Sequence, residues 1–506
     1  MKRFLAALLA GVALAGAGHA FASDQDTQWT ADAKAFDAAA ARGDCDAGLP
    51  AARRLIALPR FGNAPVAAQL AILKLGAICA WRTDGMEPEA FEDARRATDL
   101  PDADDDLWLE RLELGAYLHR PDDVASTVEA LASQRPRALD RVSTRLFARV
   151  LAAEHAVERK SYAERILNAL EIADYRPMAP GERADKLWLR AAAFAVSAGD
   201  TAHATALLRR IDGAMLMQVR LDGRYTAIVR ADPGRFEVVP AVERELAADQ
   251  AAMAAHPDRL APVREVLSTL RGLGRYDEAL ALAQSALDRI AASAKPAFAD
   301  QSDQLNWILD QKAEILIRLG RVDEALAAER RGASTEEEGT GGNVSQTINL
   351  AGLYVLVDRP HEALTLLPSA WSLPHASLYG VAWVHAMRAC ALQTSGRPTE
   401  LEAERAYLAA HAADNPEAAL YAALCANDLD SAAAMVIAQL QDDEDRGQAL
   451  VNLCPFAPLP HPSSFEESME RRRLALSQRP DVRAAIAKAG HVEPLPLAAD
   501  VFNNLF

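Results

Sequence analysis

The sequence lacks the short patterns that mark common enzymes and metal proteins. It contains no H-E-x-x-H, G-x-S-x-G, phosphate-loop or dinucleotide-binding pattern. Its 5 cysteines are scattered, without a C-x-x-C pair. Beyond the N-terminus no run of 18 uncharged apolar residues occurs, and no stretch alternates β-branched with polar residues. We therefore expect no catalytic residues, cofactor or metal, no later membrane span and no extended sheet.

Basic residues are also scarce relative to acidic ones. The 506 residues include 54 Lys and Arg against 71 Asp and Glu, which gives a formal net charge of −17. Phosphate backbones and anionic headgroups repel such a chain, so we expect no nucleic-acid partner. The chain is too long for one ordinary compact domain, which favours several domains or a repeat array.

The N-terminus has the layout of a secretory signal peptide. Two basic residues precede an apolar stretch at 4–17, and an A-x-A pattern ends at Ala22. The apolar stretch is shorter than the roughly 20 residues that a membrane span needs. We expect cleavage between Ala22 and Ser23 and no membrane insertion afterwards. The mature chain would be periplasmic in a bacterial envelope, or alternatively secreted.

A seven-residue pattern recurs in the second half of the chain. "GRYDEAL" begins at Gly274, "GRVDEAL" at Gly320, "DRPHEAL" at Asp358 and "GRPTELE" at Gly396. The last three begin 38 residues apart, and the first lies 46 residues before the second. Glycine supplies the positive φ that ends a helix, the following arginine suits the negative helix end, and the carboxylates suit the start of the next helix. Each copy therefore predicts two antiparallel helices joined by a tight turn.

Small residues in the second helix of each pair predict close packing. Ala279, Ala325 and Ala363 follow the turn at the same distance and lie on the apolar stripe of that helix. One helix pair alone leaves its apolar faces uncovered, whereas stacking on neighbouring pairs covers them. The pattern thus indicates an all-α array of stacked pairs.

These residues resemble the tetratricopeptide repeat. The likeness covers residues 263–410 and, more loosely, 188–211. The family's period is 34 residues, shorter than the spacings here; Pro360 and Pro398 replace its aromatic residue, and Asp358 replaces a glycine. The resemblance implies an α-solenoid of degenerate tetratricopeptide-like repeats, a fold that offers binding surfaces without needing catalytic residues.

Breaks in the helical pattern predict five regions along the chain. The stretch from Met215 to Pro240 departs from the repeat register, and Pro-rich residues after Cys454 end the repeats. The regions are a signal peptide at 1–22, an N-terminal helical-repeat region at 23–214, an irregular helical connector at 215–262, C-terminal repeats at 263–454, and a C-terminal helix and tail at 455–506. We expect the tail to pack on the last repeat.

The cysteines suggest disulfides, which an exported protein can form. Stacking brings the helix ends that carry Cys45 and Cys79 to one edge of the array, so this pair is expected to bond. Cys425 and Cys454 lie at ends of successive first helices and are a second expected pair. Cys390 falls within a helix beside a packing alanine and is expected to remain a buried thiol.

Histidines near two tryptophans are the strongest candidates for a small-molecule pocket. His361, His375 and His385 occur in one stretch with Trp371 and Trp383. A histidine in an apolar helix is more often a hydrogen-bonded core residue, which is the interpretation we favour for His385.

The expected function is binding of a protein or peptide along the concave face of the solenoid, without enzymatic activity. Two alternatives stay open at this point. One is an enzyme or accessory protein that acts on cell-wall glycan, with carboxylates contributed by distant repeats. The other is a self-associating scaffold.

Overall fold

The structure is a computed structural model that describes residues 24–152, 158–335, 343–368 and 377–498. The predicted signal peptide with Ala22 and Ser23 lies outside these ranges, as do Trp371 and His375. The described residues are almost entirely helical, so the prediction of an all-α helical-repeat fold is confirmed. Among them, no helix combines the length and hydropathy of a bilayer-spanning segment.

The elements follow one another in a nearly continuous series of helices. The α-helices are α1 (Asp24–Arg42), α2 (Cys45–Ala57), α3 (Val66–Trp81), α4 (Glu87–Thr98), α5 (Asp105–Tyr117), α6 (Pro121–Gln134), α7 (Pro136–Leu139), α8 (Thr144–Ala152), α9 (Glu158–Ile172), α10 (Asp185–Ser197), α11 (Thr201–Leu208), α12 (Leu216–Leu221), α13 (Thr226–Ala231), α14 (Val238–Ala255), α15 (Ala261–Gly272), α16 (Tyr276–Ala291), α17 (Gln301–Arg318), α18 (Val322–Ala333), α19 (Val344–Leu356), α20 (Pro360–Leu366), α21 (Leu378–Thr394), α22 (Pro398–Ala410), α23 (Pro416–Cys425), α24 (Leu429–Gln441), α25 (Arg446–Leu453), α26 (Ser464–Gln478) and α27 (Pro480–Ala489). Short 3₁₀ helices occupy Pro59–Asn63, Gly213–Met215, Gly223–Tyr225 and Pro233–Phe236. Two strands, β1 (Phe456–Ala457) and β2 (Leu495–Ala498), pair in parallel.

One turn type joins the two helices of most pairs. At Gly274, φ is +70°, and the following N–H of Arg275 donates to the Leu270 carbonyl at 2.9 Å. This hydrogen bond satisfies a carbonyl at the end of the first helix. Positive φ with the same hydrogen bond recurs at Gly43, His119, Gly199, Gly320, Asp358, Gly396 and Asn427. The pattern seen in four sequence copies therefore extends over most of the described chain.

The arginine after the turn has a different role from the predicted one. Arg275 donates through Nε and Nη2 to both carboxylate oxygens of Glu278, at 2.7 and 2.6 Å. The same bidentate pair forms between Arg321 and Glu324 and between Arg397 and Glu400. The three-residue spacing between this arginine and the glutamate recurs from repeat to repeat because the two side chains form an ion pair at the start of the second helix.

The chain forms two compact units, Met1–Leu187 and Trp188–Phe506. Positions 214 and 215 lie within the second of these units, and the predicted bounds of the regions stay a prediction. The region predicted as an irregular connector, 215–262, consists of α12, α13, short 3₁₀ helices and the longer α14, and α12 packs on α25 of the same unit. Packing on that distant helix explains why this stretch departs from the repeat register.

In the first unit, successive helices from α1 to α6 pack on their neighbours, and α6 packs on α9. The buried core includes Phe36, Leu55, Ile72, Phe91 and Leu112. Tyr175 is 1% exposed, its hydroxyl donates to the Val142 carbonyl at 2.7 Å, and its ring meets Phe147 edge-on.

In the second unit, five helix pairs stack in chain order, from α15 and α16 to α23 and α24. Ala279, Ala325 and Ala363 are buried, as the sequence predicts, at 0%, 0% and 2% exposure. An added methylene there would meet packed neighbours, because cores are close-packed.

The end of the described chain is a segment, residues 455–498, that we call the closing segment. The sequence predicts that the tail packs on the last repeat, whereas strand β2 contacts α14 and α15 at the start of the repeats. The His491 N–H donates to the Leu221 carbonyl at 3.0 Å, and Glu493 pairs with Arg220. The closing segment therefore links the last helices of the second unit to its first ones.

The structure contains two disulfides among the described residues. Cys45 joins Cys79, the pair that the sequence predicts, 34 residues apart. Cys390 joins Cys425, 35 residues away, while Cys454 is a buried free thiol. The predicted Cys425–Cys454 pair is therefore wrong, as is the assignment of Cys390 as a thiol. Adjacent first helices α21 and α23 lie side by side, which brings cysteines one repeat apart together.

Candidate binding surface on the first helices

The first helices of the second unit form one continuous layer. Helices α15, α17, α19, α21 and α23 each contact the next in this series. Side chains that point along this layer can therefore bridge from repeat to repeat.

Polar side chains connect three of these first helices. Arg264 on α15 donates to Gln304 Oε1 on α17 at 3.1 Å, and Arg271 donates to Gln311 Oε1 at 2.9 Å. Arg271 also pairs with Glu314. Between α17 and α19, Asn349 Nδ2 donates to Asp310 Oδ1 at 3.0 Å. We call this set the polar ladder: Arg264, Arg271, Gln304, Asp310, Gln311, Glu314 and Asn349.

The polar ladder is accessible to solvent in most of its members. Arg271 is buried, with its side chain 3% exposed, but the other members are half-buried. Behind them lies a dense core of Leu267, Ile308, Leu309 and Ile315, each at most 2% exposed. The ladder thus combines donors and acceptors at the surface with a rigid support.

Two unsatisfied polar side chains lie behind the ladder. Glu329 on α18 is 1% exposed, and Gln346 at the start of α19 is fully buried. Among the described residues, neither the carboxylate oxygens of Glu329 nor the side-chain amide atoms of Gln346 have a hydrogen-bond partner. Burial raises the pKa of Glu329 well above its ordinary value, and the negative charges of Asp310 and Glu314 raise that pKa further.

The closing segment covers the C-terminal ends of several first helices. Arg318 at the end of α17 pairs with Glu466 on α26, and both side chains are 1% exposed. Arg472 donates to the Leu424 and Cys425 carbonyls at 2.9 and 2.6 Å. Cationic groups at carbonyl ends of helices are favourable because they face the negative end of the helix dipole.

Two further contacts of the closing segment involve turns of the repeats. Ser464 Oγ donates to Asp358 Oδ2 at 2.6 Å, at the turn after α19. The His461 ring packs against Gly320, 3.4 Å from the place that a Cβ there would occupy. The first-helix layer therefore has an open part, the polar ladder, and a part covered by the closing segment.

His385 is held by its neighbours in a structural arrangement. Its Nδ1 lies 2.5 Å from Glu404 Oε2, while Arg388 Nε donates to Glu404 Oε1 at 2.7 Å. Its ring stacks on Tyr407 at 3.6 Å, and Tyr407 stacks on His411 at 4.2 Å. Burial alone would raise the pKa of Glu404, but hydrogen bonds from His385 and Arg388 outweigh it and lower that pKa. These contacts join α21 to α22, in line with the favoured packing role.

The described residues offer little else that could hold a small ligand. Within them, no group of three or more His, Cys, Asp or Glu side chains is placed to hold a metal ion. A depression in the first unit, lined among others by Gly115, His119, Arg120 and Arg149, has no carboxylate in its lining. The carboxylate of Glu467 is exposed on α26 and lies 3.8 Å from the guanidinium of Arg471, so it forms a surface ion pair.

Sequence reasoning did not identify the polar ladder. Its glutamines, asparagine and arginines resemble ordinary surface residues in a linear sequence. Glu329 did carry a signal, because it follows Ala325 by four residues and so lies on the buried stripe of α18. A charged residue on an otherwise apolar stripe is a candidate for a special role.

No protein-family model and no curated protein sequence matches this chain. Among solved structures it is similar to the "APC/C hetero-tetramer Cut9-Hcn1", at 11% identity over 92% of this chain and 96% of that one, with a TM-score of 0.24. It is similar to "Naa15/Naa10 bound to HypK-THB" at 12% identity over 91% and 74%, with a TM-score of 0.26. The "P58(IPK) TPR Domain" gives 15% identity over 90% and 100%, with a TM-score of 0.17. Likenesses at this level transfer neither a partner nor an activity.

Proposed function

We propose that this chain is a non-enzymatic helical-repeat protein that binds a segment of another protein along the first helices α15, α17 and α19. The observation that carries the proposal is the polar ladder, which presents donors and acceptors on three successive first helices. A bound segment in extended conformation needs such partners for its backbone amides. Stacked repeats supply a rigid surface for them, so little binding energy is lost in ordering the protein.

We further propose that the chain works outside the reducing cytosol, in the periplasm or after secretion. The signal-peptide pattern motivates this, and two disulfides in one chain support it, because disulfides persist in oxidising compartments. Expression of a fusion to an enzyme that is active only after export tests the localisation. Activity retained after deletion of residues 1–22 would contradict it.

Site-specific photo-crosslinking tests the binding surface. A photoreactive amino acid replaces Gln311 or Asn349 on the ladder, or, as the matched control, the exposed Ser285 on α16. In cells that export the full chain, we expect one discrete crosslinked species from both ladder positions and none from Ser285. Crosslinks of equal strength from all three positions, or from Ser285 alone, would overturn the proposed surface.

A further inference from the structure

The structure contains a buried carboxyl group that nothing described in the molecule satisfies. Glu329 lies on α18, which contacts both α17 and α19, and its side chain is almost fully inaccessible. Neither carboxylate oxygen has a hydrogen-bond partner among the described residues. Buried polar groups in folded proteins are nearly always hydrogen-bonded, so an exception calls for a missing partner.

Gln346 gives independent evidence for that missing partner. Its side chain is 0% exposed, and its amide oxygen and nitrogen also lack partners among the described residues. The amide oxygen lies 3.8 Å from the place that a Cβ on Gly332 would occupy, and Gly332 is three residues after Glu329 on α18. Two unsatisfied groups from different helices thus border the same small region.

The charges around this region favour a cation. From α17, Asp310 and Glu314 act on Glu329 with the same sign of charge. Arg271 is paired with Glu314, and Asn349 donates to Asp310. A lysine ammonium or arginine guanidinium has only donors, which match the carboxylate oxygens of Glu329 and the side-chain oxygen of Gln346 but not the Gln346 side-chain nitrogen, itself a donor. An anionic group there would add repulsion.

We propose that Glu329, Asp310, Glu314 and Gln346 form a site for one lysine or arginine side chain of the segment bound along the polar ladder. This inference rests on the proposed function and names a specificity determinant for it. Asp310 and Glu314 belong to the half-buried polar ladder, so the incoming side chain would approach from that face. Burial raises the pKa of Glu329, and a bound cation would lower that pKa again by favouring the ionised carboxylate.

A random heptapeptide display library tests the site on the full chain. Selection is carried out on the wild type, on Glu329→Gln, and on the matched control Glu324→Gln, whose side chain lies on the same helix but is 58% exposed. We expect peptides selected on the wild type and on E324Q to share one lysine or arginine position, and those selected on E329Q to lack it. A peptide selected on the wild type should bind E329Q at least tenfold more weakly.

Calorimetry on the wild type alone keeps the test independent of how E329Q folds. Binding of a selected peptide is compared between two buffers of different ionisation enthalpy at several pH values, and protons should be released at one or more of them, because a bound cation lowers the raised pKa of Glu329. Selected peptides without a shared basic position, or with the same one on E329Q, or binding without proton release, would overturn this site. The proposed function would then stand, with water as the partner of Glu329. If no peptide is enriched on any variant, both the site and the proposed function fall.

Discussion

The buried pair of Arg318 and Glu466 gives the sharpest prediction about how the closing segment is held. Glu466→Ala removes the Glu466 carboxylate from the buried Arg318 guanidinium, since both side chains are 1% exposed. Breaking one partner of a buried ion pair costs about 3–5 kcal/mol. Glu466 also accepts from the Ser463 N–H at 2.9 Å, as part of a capping box, and losing that adds about 1 kcal/mol. We therefore expect E466A to lower the free energy of unfolding of the second unit by about 4–6 kcal/mol.

Urea denaturation followed by far-ultraviolet circular dichroism measures this loss. The matched control is Glu467→Ala on the same helix, whose side chain is 56% exposed and lies 3.8 Å from Arg471. Surface pairs of this kind contribute at most about 1 kcal/mol, so E467A should unfold nearly as the wild type does. The double variant R318M/E466L removes both charges and should recover most of the stability. Equal midpoints for E466A and E467A would refute the reasoning.

Two further predictions concern the disulfides and the buried acid. The double variant C390A/C425A should lower the free energy of unfolding by about 4 kcal/mol, because the disulfide closes a loop of about 35 residues in the unfolded chain. Thermal unfolding without reductant measures this loss, and an unchanged melting temperature would contradict the assigned pair. The raised pKa of Glu329 means that the folded state holds a proton that the unfolded state releases above about pH 4.5. The stability from this group is therefore full below pH 4.5 and declines by about 1.4 kcal/mol per pH unit as pH rises toward the folded-state pKa. E329Q should lack that slope in denaturation midpoints measured between pH 4 and 8, whereas parallel curves for the two proteins would show that Glu329 is ionised when folded.

The repeat pattern could be read from the sequence because its turn has a strict backbone requirement. Gly274, Gly320 and Gly396 adopt positive φ without strain, and such positions are visible as glycines. The equivalent turns at His119 and Asn427 have no glycine to mark them in the sequence, because the surrounding helix contacts can hold other residues at positive φ. Without a glycine, the variable spacing of the repeats does not locate these turns in the sequence.

The disulfide assignment shows where local reasoning fails. Cys390 was placed in the interior of its helix, yet α21 ends only four residues later, at Thr394, beside α23. The predicted position near a helix end agrees with the disulfide of Cys45 and Cys79, whereas the predicted mid-helix position of Cys390 does not agree with its disulfide. Cys454 follows the short helix α25, and its thiol donates to the carbonyl oxygen of Leu450, four residues earlier, at 3.3 Å. Burial raises the pKa of this thiol to about 11.

The binding surface depends on contacts that no single segment contains. Arg264 and Gln304 lie 40 residues apart, and Asp310 and Asn349 lie 39 apart. Only the stacking of α15, α17 and α19 brings them together. The sequence predicts a binding surface on the helical repeats, whereas the residues of the proposed surface follow from the three-dimensional packing.

Hydrogen–deuterium exchange with and without a bound peptide tests the central claim most directly. The peptide is one selected on the wild-type full chain, and exchange is compared for the first helices and for the second helices α16 and α18. We predict that backbone amides exchange more slowly on binding in segments 261–272, 301–318 and 344–356, and in the part of α18 around Glu329. Protection confined to α16, to the first unit or to the closing segment would contradict the account.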